Sequence, residues 1–463
     1  MKDKDAPPEE AGFNSSPRQV LFDPRRSLGA CDAPLLAEHV RFNAKPIGAR
    51  RCGIELELFG YAARTLDRLS ASQVRDVLAE LARSEEDLVR ESESIVEAQL
   101  EGGGRATVEP GGQIEFSSAP RFTLAELERD VRDFLSRLRE IAQRRALLFI
   151  AAGFDPIRSL DEQRWYPKRR YQVLRPYLAR HGRRALDMMA RTCAVQINLD
   201  YTSTEELGQQ FALANMAAPF IAALAANAPF EGGAPSGYRS VRALVWTETD
   251  PDRCGPAPAA FADTITPETL VAYAQRVPMI FVRRDGHYLR NPQGRSFAEF
   301  LFNPPRDIEP RFQDWTDHLS TIFTNARLRS HLELRAMDGN RVEMALALAA
   351  LWRGLLYDRT ILNEARRRLP RLRRGEMLTL ERLVAREGLL ATTSDLHVFE
   401  LARDLVALAA EGLRRVASDE ERYLDPLKEA LAERASPADM LLRNWEGSWH
   451  KKMAHVIAHL RVA

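Results

Sequence analysis

The chain has 463 residues, 45% hydrophobic and 28% charged, with 66 lysines and arginines against 65 aspartates and glutamates. That length allows one large body plus a second unit, and the mixture is that of an ordinary globular protein. The near-zero net charge supplies no field to recruit nucleic acid or an anionic membrane, so neither is expected as a partner.

Four cysteines, Cys31, Cys52, Cys193 and Cys254, lie far apart without a CxxC pair. This argues against a zinc site or a disulfide framework and suits a reducing cytosol. The opening MKDKDAPPEE lacks the apolar core of a secretory signal, and residues 1–30 read as a disordered or loosely docked tail. A cytoplasmic protein is expected.

In chain order, GIELELF (53–59) alternates as a strand, and SASQVRDVLAELAR places Val74, Val77, Leu78 and Leu81 on one helical face. TVEPGGQIEFSS (107–118) reads as a hairpin-like turn with Glu109 and Glu115 on its flanks. Thr123 and Glu126 form a capping box for the next helix, whose apolar face runs from Leu124 through Leu127, Val131, Phe134, Leu135 and Leu138 to Ile141. ALLFIAAGFDP (146–156) is a buried strand entering a turn. WYPKRRYQVLRPYL sets Lys168, Arg169 and Arg170 among aromatics, where anion binding and plain surface charge are equally open.

The apolar stretch 211–230 is interrupted by Asn215, Pro219 and Asn227 and is dominated by alanine, which fits a buried helix better than a membrane span. SVRALVWTETDPDRCG (240–255) sets Ser240 and Arg242 on alternate positions, followed by Trp246 and a turn rich in Asp and Thr. From about residue 340 the pattern is almost wholly helical, with Ser394 as an expected N-cap. Six arginines within 366–374 read as solvated charge at a helix end.

Side chains alternate across a strand, so residues two apart share a face. Glu55 and Glu57 oppose Ile54, Leu56 and Leu58; Gln113, Glu115 and Ser117 oppose Ile114 and Phe116. Gln196, Asn198 and Asp200 oppose Val195, Ile197 and Leu199, while His331, Glu333 and Arg335 oppose Leu332 and Leu334. One such face is ordinary; four lacking lysine and repeating glutamate favour a metal–nucleotide surface. Clustered carboxylates repel one another, and hard cations such as Mg²⁺ relieve the repulsion. No GxxxxGK[ST], GxSxG or HExxH motif occurs. Arg242 suits a substrate carboxylate, with a surface ion pair as the even alternative.

GIELELF, TVEPGGQIEFSSAP, GFDP, WYPKRRY, MMARTCAVQINLDY, AANAPFEGG, VRALVWTETDPDRCG and HLSTIFTNARLRSHLELRAMDG occur in this order. Together they resemble the plant-type and proteobacterial glutamate–cysteine ligases of the glutamine-synthetase-like carboxylate–amine ligase superfamily. The resemblance implies an α+β fold, a curved antiparallel sheet flanked by helices, with a catalytic domain over 31–340 and a helical C-terminal region over 341–463 packed on it. It implies ATP and Mg²⁺ as cofactors, glutamate, cysteine and ATP as substrates, a γ-glutamyl phosphate intermediate, and a monomer or homodimer. By motif, Glu55, Glu57, Glu115 and Glu333 match metal ligands, and Gln196 and Asn198 match the nucleotide-proximal strand. Arg242 matches the glutamate α-carboxylate grip, and Arg335 the arginine that neutralises the transferring phosphate. Trp246, Arg191 and Glu109 match the substrate pocket. Cys254 stands where threonine is common in the plant type, and DRCG and AANAP lean towards an ergothioneine-pathway branch. Alternatives are a ligase using another amine and a non-catalytic relative that binds nucleotide or amino acid.

Overall fold

The computed structural model describes residues 21–290 and 294–463. Strand β1 (Cys52–Ala62) is the spine of a nine-stranded sheet. The others are β2 (Leu88–Glu91), β3 (Ser94–Gln99), β4 (Arg105–Val108), β5 (Ile114–Ser117), β6 (Leu147–Ile150), β7 (Ala194–Leu199), β8 (Ala326–Leu328) and β9 (Leu332–Asp338). Their order is β8-β9-β7-β1-β5-β4-β3-β2, with β6 pairing the far half of β1, and every pairing is antiparallel. The chain therefore adopts the expected α+β architecture.

The alternation read in GIELELF decides which way β1 faces. Ile54, Leu56 and Leu58 are 0%, 3% and 2% exposed and join the main core beneath the sheet. The Leu124–Arg144 and Val342–Leu356 helices cover that side. The former starts as its capping box requires: Thr123 Oγ1 accepts the Glu126 amide at 3.2 Å, and the Glu126 carboxylate accepts the Thr123 amide at 3.0 Å. Its seven expected apolar positions are all buried, each contributing about 1.5–3 kcal/mol relative to exposure.

The stretch read as a buried helix belongs to the Thr204–Leu224 helix, with Pro219 inside it. By length and composition it could cross a bilayer, but 83% of its apolar window is buried within the protein. Asn215 is satisfied locally, donating to Phe211 O at 3.0 Å and accepting the Ala257 amide at 3.0 Å.

One expected helix start moves, and one helical stretch divides. The Val398–Val416 helix is preceded by His397, whereas Ser394 donates to Asp395 at 2.7 Å within a turn closed by Thr393 N–H to Leu396 O at 2.9 Å. DEERYLDPLKEALAERA divides into a 3₁₀ segment, Ser418–Leu424, and the Asp425–Ala432 helix. Pro426 causes the division, because it lacks the donor a continuous helix would need there. The 240–247 segment also differs: Ser240 caps a short helix, Val241–Thr247, by accepting the Ala243 amide at 2.9 Å.

Of the expected 1–30 tail, residues 1–20 lie outside the described residues. Residues 21–30 lie on the body: Leu28 is buried and donates to Pro310 O at 2.9 Å, and Phe22 sits 5.6 Å from Phe312. Beyond Asp338 the chain turns into the C-terminal helices, whose apolar residues share a core cluster with Ile54 and Leu334. Arg353 ties the two parts together, pairing with Glu420 at 2.8 Å and donating to Phe122 O at 2.7 Å. Glu420 in turn accepts the Leu124 amide at 2.8 Å.

The Val342–Leu356 and Val398–Val416 helices cross backbone to backbone. A Cβ on Gly354 would strike the Ala409 carbonyl, and one on Gly412 would strike the Gly354 carbonyl. Overpacking of this kind costs about 1–3 kcal/mol. Gly412→Ala should therefore lower the unfolding free energy by about that amount, measured as a shift of the denaturant midpoint at unchanged slope; an unmoved midpoint would show that the crossing yields.

Candidate active site

The hairpin 107–118 supplies one wall. Glu109 N–H donates to Gln113 O and Gly112 N–H to Glu109 O, each at 2.9 Å, and Gly112 takes φ +77°. Gly111 lies so close to Ala190 that a Cβ would overlap its backbone. Gln113 secures this docking, accepting the Gly111 amide at 2.8 Å and donating to Thr192 O at 3.0 Å.

Register then brings the acids together. Glu57 is opposite Glu115 across β1–β5, Glu55 is opposite Gln196 across β1–β7, and Glu333 is opposite Asn198 across β9–β7. Directly opposed residues on antiparallel strands face the same side. Glu55, Glu57, Glu109 and Glu115 line one cleft of about 280 Å³ with Gln196, Arg242, Trp246 and Arg335.

These carboxylates are only partly satisfied. Glu57 accepts the Ala194 amide at 2.7 Å and the Gln196 amide at 2.9 Å, while Glu55 accepts from Asn198 at 2.8 Å. Burial, then the charge of Glu115, pushes Glu57 up to about 8. Burial, then Glu115 and Glu333, raises Glu55 to about 7. Burial and then Glu109 raise Glu115 to about 7, and burial and then Glu57 raise Glu109.

Glu333 is different. It pairs with Arg327 at 2.9 Å and contacts Arg335, while Arg329 stands 3.8 Å away. Burial alone would raise it, but Arg327, Arg335 and Arg329 outweigh burial and hold it far below the ordinary carboxylate range. Its role in the structure is to anchor arginines; it is not among the acids open to the cleft. Arg335 also contacts the Gln196 side-chain oxygen. Arg242 donates to the Arg335 carbonyl at 2.8 Å and stands 3.8 Å from Asp338. The helix 241–247 places Arg242 and Trp246 four residues apart on one face. The Trp246 ring is close to both guanidiniums, 5.8 Å from Arg242 and 5.9 Å from Arg335.

Arg191 does not line this cleft. It donates to Asp187 at 2.7 Å and Glu231 at 3.1 Å and lies 4.3 Å over Phe154, an ion-paired position. Asn198 acts through Glu55 rather than by lining the cleft. The structure adds Arg327, on β8, and Arg329, just past its end, both of which line the cleft and lie near Glu333. It also adds Arg105, and of the three basic residues noted at 168–170 it brings Lys168 and Arg170 to the cleft lining. Arg170 donates to Ser320 O at 3.0 Å and has no carboxylate ion-pair partner among the described residues.

An anionic floor thus faces a cationic wall. Among the described residues no three His, Cys, Asp or Glu groups form a preformed metal cage. Glu55, Glu57 and Glu115 are nonetheless hard oxygen donors whose mutual repulsion a divalent cation would relieve, with remaining ligands coming from water or phosphate. A more voluminous cleft, about 1250 Å³, is lined by Arg366, Arg367, Arg371, Arg373 and Arg374 and shares no lining residue with the acid face. The four cysteines are all free, Cys31 exposed and the others buried.

A carboxyl raised in the folded state binds its proton there more tightly than in the unfolded chain, so its contribution to stability falls as pH rises between the two pKa values. For Glu57 that window runs from about 4.5 to about 8. Glu57→Gln should gain stability relative to the metal-free wild-type protein as pH rises across this window, with little difference near pH 4.5. Paired thermal melts in a chelator would measure it, and a pH-independent difference would contradict the assigned burial of charge.

The glutamate–cysteine ligase family 2 model matches residues 51–459. Glutamate–cysteine ligase A, chloroplastic, of Oryza sativa subsp. indica is 34% identical over 430 residues, 92% of this chain and 87% of the relative. The chloroplastic enzyme of Nicotiana tabacum is 35% identical over 414 residues, 89% and 79% of the two chains. A solved structure of glutamate–cysteine ligase from Francisella tularensis in complex with AMP superposes with a TM-score of 0.54, covering 90% of this chain and 88% of that one at 11% identity, and so shares the fold. The curated relatives are named as chloroplastic proteins, and that finding overturns the cytoplasmic expectation. Sheet, cleft and sequence agree: the chain belongs to glutamate–cysteine ligase family 2.

Proposed function

We propose that the protein joins glutamate to cysteine, using ATP, to form γ-glutamylcysteine, ADP and phosphate. The observation that carries this reading is the cleft itself: four raised carboxylates on one side and Arg242, Arg327 and Arg335 on the other, in a chain of this family. Phosphoryl transfer depends on positioning and charge neutralisation rather than on a protein nucleophile, and the cleft is built of such groups.

The glutamate γ-carboxylate attacks the γ-phosphorus of ATP, the bond to the bridging oxygen breaks, and ADP leaves. The cysteine amine then attacks the acyl carbon, the carbon–oxygen bond breaks, and phosphate departs with the amine proton. Bound Mg²⁺ would supply charge neutralisation between the phosphates and Glu55, Glu57 and Glu115. Gln196 and Asn198 orient those acids through their amide donors. Arg242 grips the glutamate α-carboxylate beside Trp246, and Arg335, steadied by Glu333 and Gln196, offsets charge developing on the transferred phosphoryl group. Glu109 shares a hydrogen bond with Glu115 and shapes the rim.

ADP release should require glutamate, cysteine and Mg²⁺ together. Equal turnover with a different amine would reassign the acceptor, and no turnover with any amine would favour a binding protein without catalysis. Arg335→Lys retains charge but loses the planar fork; it should lower kcat by about 10²–10³ while the fold persists, the loss seen when one preorganised donor is removed. Near-normal kcat would remove Arg335 from the chemistry. Arg242→Lys should instead raise the glutamate KM roughly tenfold or more, the value of a charge-assisted hydrogen bond, leaving the ATP KM unchanged.

A further inference from the structure

The cationic pair has a second side. Arg242, Trp246, Phe323 and Arg335 line the acid cleft and also an adjoining small pocket floored by Pro219 and closed by Glu381. Glu55, Glu57, Glu109 and Glu115 lie on the first side only, and Glu381 on the second only. Glu381 comes from the Arg374–Glu387 helix, which packs on the Val241–Thr247 helix that carries Arg242 and Trp246.

Among the described residues, three donors at this partition have no hydrogen-bond partner. Arg242 Nε, Arg335 Nε and Trp246 Nε1 are buried without a hydrogen-bond partner, and such groups carry a cost of about 1–3 kcal/mol each unless a ligand satisfies them. Glu381 is the complementary orphan. Its Oε1 accepts from Asn325 Nδ2 at 2.5 Å, while Oε2 accepts no hydrogen bond among the described residues, and the carboxylate forms no ion pair. Arg374 and Arg382 act on it only through their charge, and burial outweighs them, raising the carboxyl to about 7. Asn325 also fixes the spacing, since its carbonyl accepts the Arg335 amide at 2.8 Å.

Resting on the ligase reading above, we propose that this pocket holds the zwitterionic head of the γ-carboxylate donor, with its α-carboxylate on Arg242 and its α-ammonium on Glu381. A cation-lined wall and a single carboxylate across a small, partly aromatic pocket are the pair of charges an α-amino acid presents. The donor is favoured over the acceptor by position. The acceptor's amine must be uncharged and beside the acyl phosphate, whereas an amine held by Glu381 stays protonated behind the arginines. A donor held here needs a second carboxylate directed past Arg335 towards the acids, which glutamate carries and cysteine does not.

The test is steady-state kinetics of Glu381→Gln, with glutarate, which lacks the α-amine, as the discriminating substrate. Glutamine retains an oxygen for the Asn325 bond but not the charge. The kcat/KM for glutamate should fall roughly ten- to a hundredfold, as expected for a charged hydrogen bond, with the KM values for cysteine and ATP unchanged. The preference for glutamate over glutarate should collapse, and Glu381→Asp should restore part of it. A raised cysteine KM with glutamate unaffected would overturn the assignment in favour of the acceptor. Equal losses for glutamate and glutarate would also overturn it, by making Glu381 a structural residue. A wild-type protein that releases no ADP in any mixture would instead sink the ligase reading; wild-type activity with discrimination unchanged in Glu381→Gln sinks this assignment alone.

Discussion

The opposition of Glu57 and Glu115 across β1–β5 is the constraint on which the rest depends. Two half-buried carboxylates directly opposite each other repel, and the low dielectric of the site magnifies that repulsion. The fold answers with short-range devices: the Ala194 amide and the Gln196 side chain on Glu57, Ser117 on Glu115, and Asn198 on Glu55. These leave the carboxylates ready for a cation without neutralising them. Glu333 follows the other course, fully paired with arginine. The acids of one sheet face are thereby divided between groups that await charge and a group that holds countercharge in place.

The β1 spine makes this division possible because three strands pair with it at once. Its apolar side is clamped by helices from both halves of the chain, so the register that aligns the acids is fixed by core packing. A slip of one residue would bury Glu55 and Glu57 among Leu124, Leu127 and Leu346 and expose Ile54 and Leu56. Function here is inherited from the hydrophobic pattern as much as from the polar residues.

That pattern is why so much was legible beforehand. Period-two alternation located Glu55, Glu57, Glu115, Gln196 and Arg335 on one surface, and the Thr123 capping box and its seven apolar positions needed only local information. The 241–247 helix was harder to read, because seven residues are too few for helical periodicity to declare itself. Its function-bearing geometry, Arg242 beneath Trp246, emerges only from the Ser240 cap. Arg191 was misleading for the opposite reason: a sequence cannot disclose that Asp187 and Glu231 already occupy its guanidinium. Glu381 was invisible because nothing in the Arg374–Glu387 helix distinguishes one glutamate from its neighbours until the helix is laid against Asn325.

The crossing at Gly354 and Gly412 bears on how such a site can move. Side-chain contacts accommodate displacement by changing rotamer, but two backbones in direct contact have no rotamers to change. Relative motion of those helices is restricted to sliding of rigid bodies, so this part of the molecule behaves as a keel. Opening and closing around a substrate must then be sought in thinner elements that flank the cleft, such as the loop between β8 and β9 that carries Arg329.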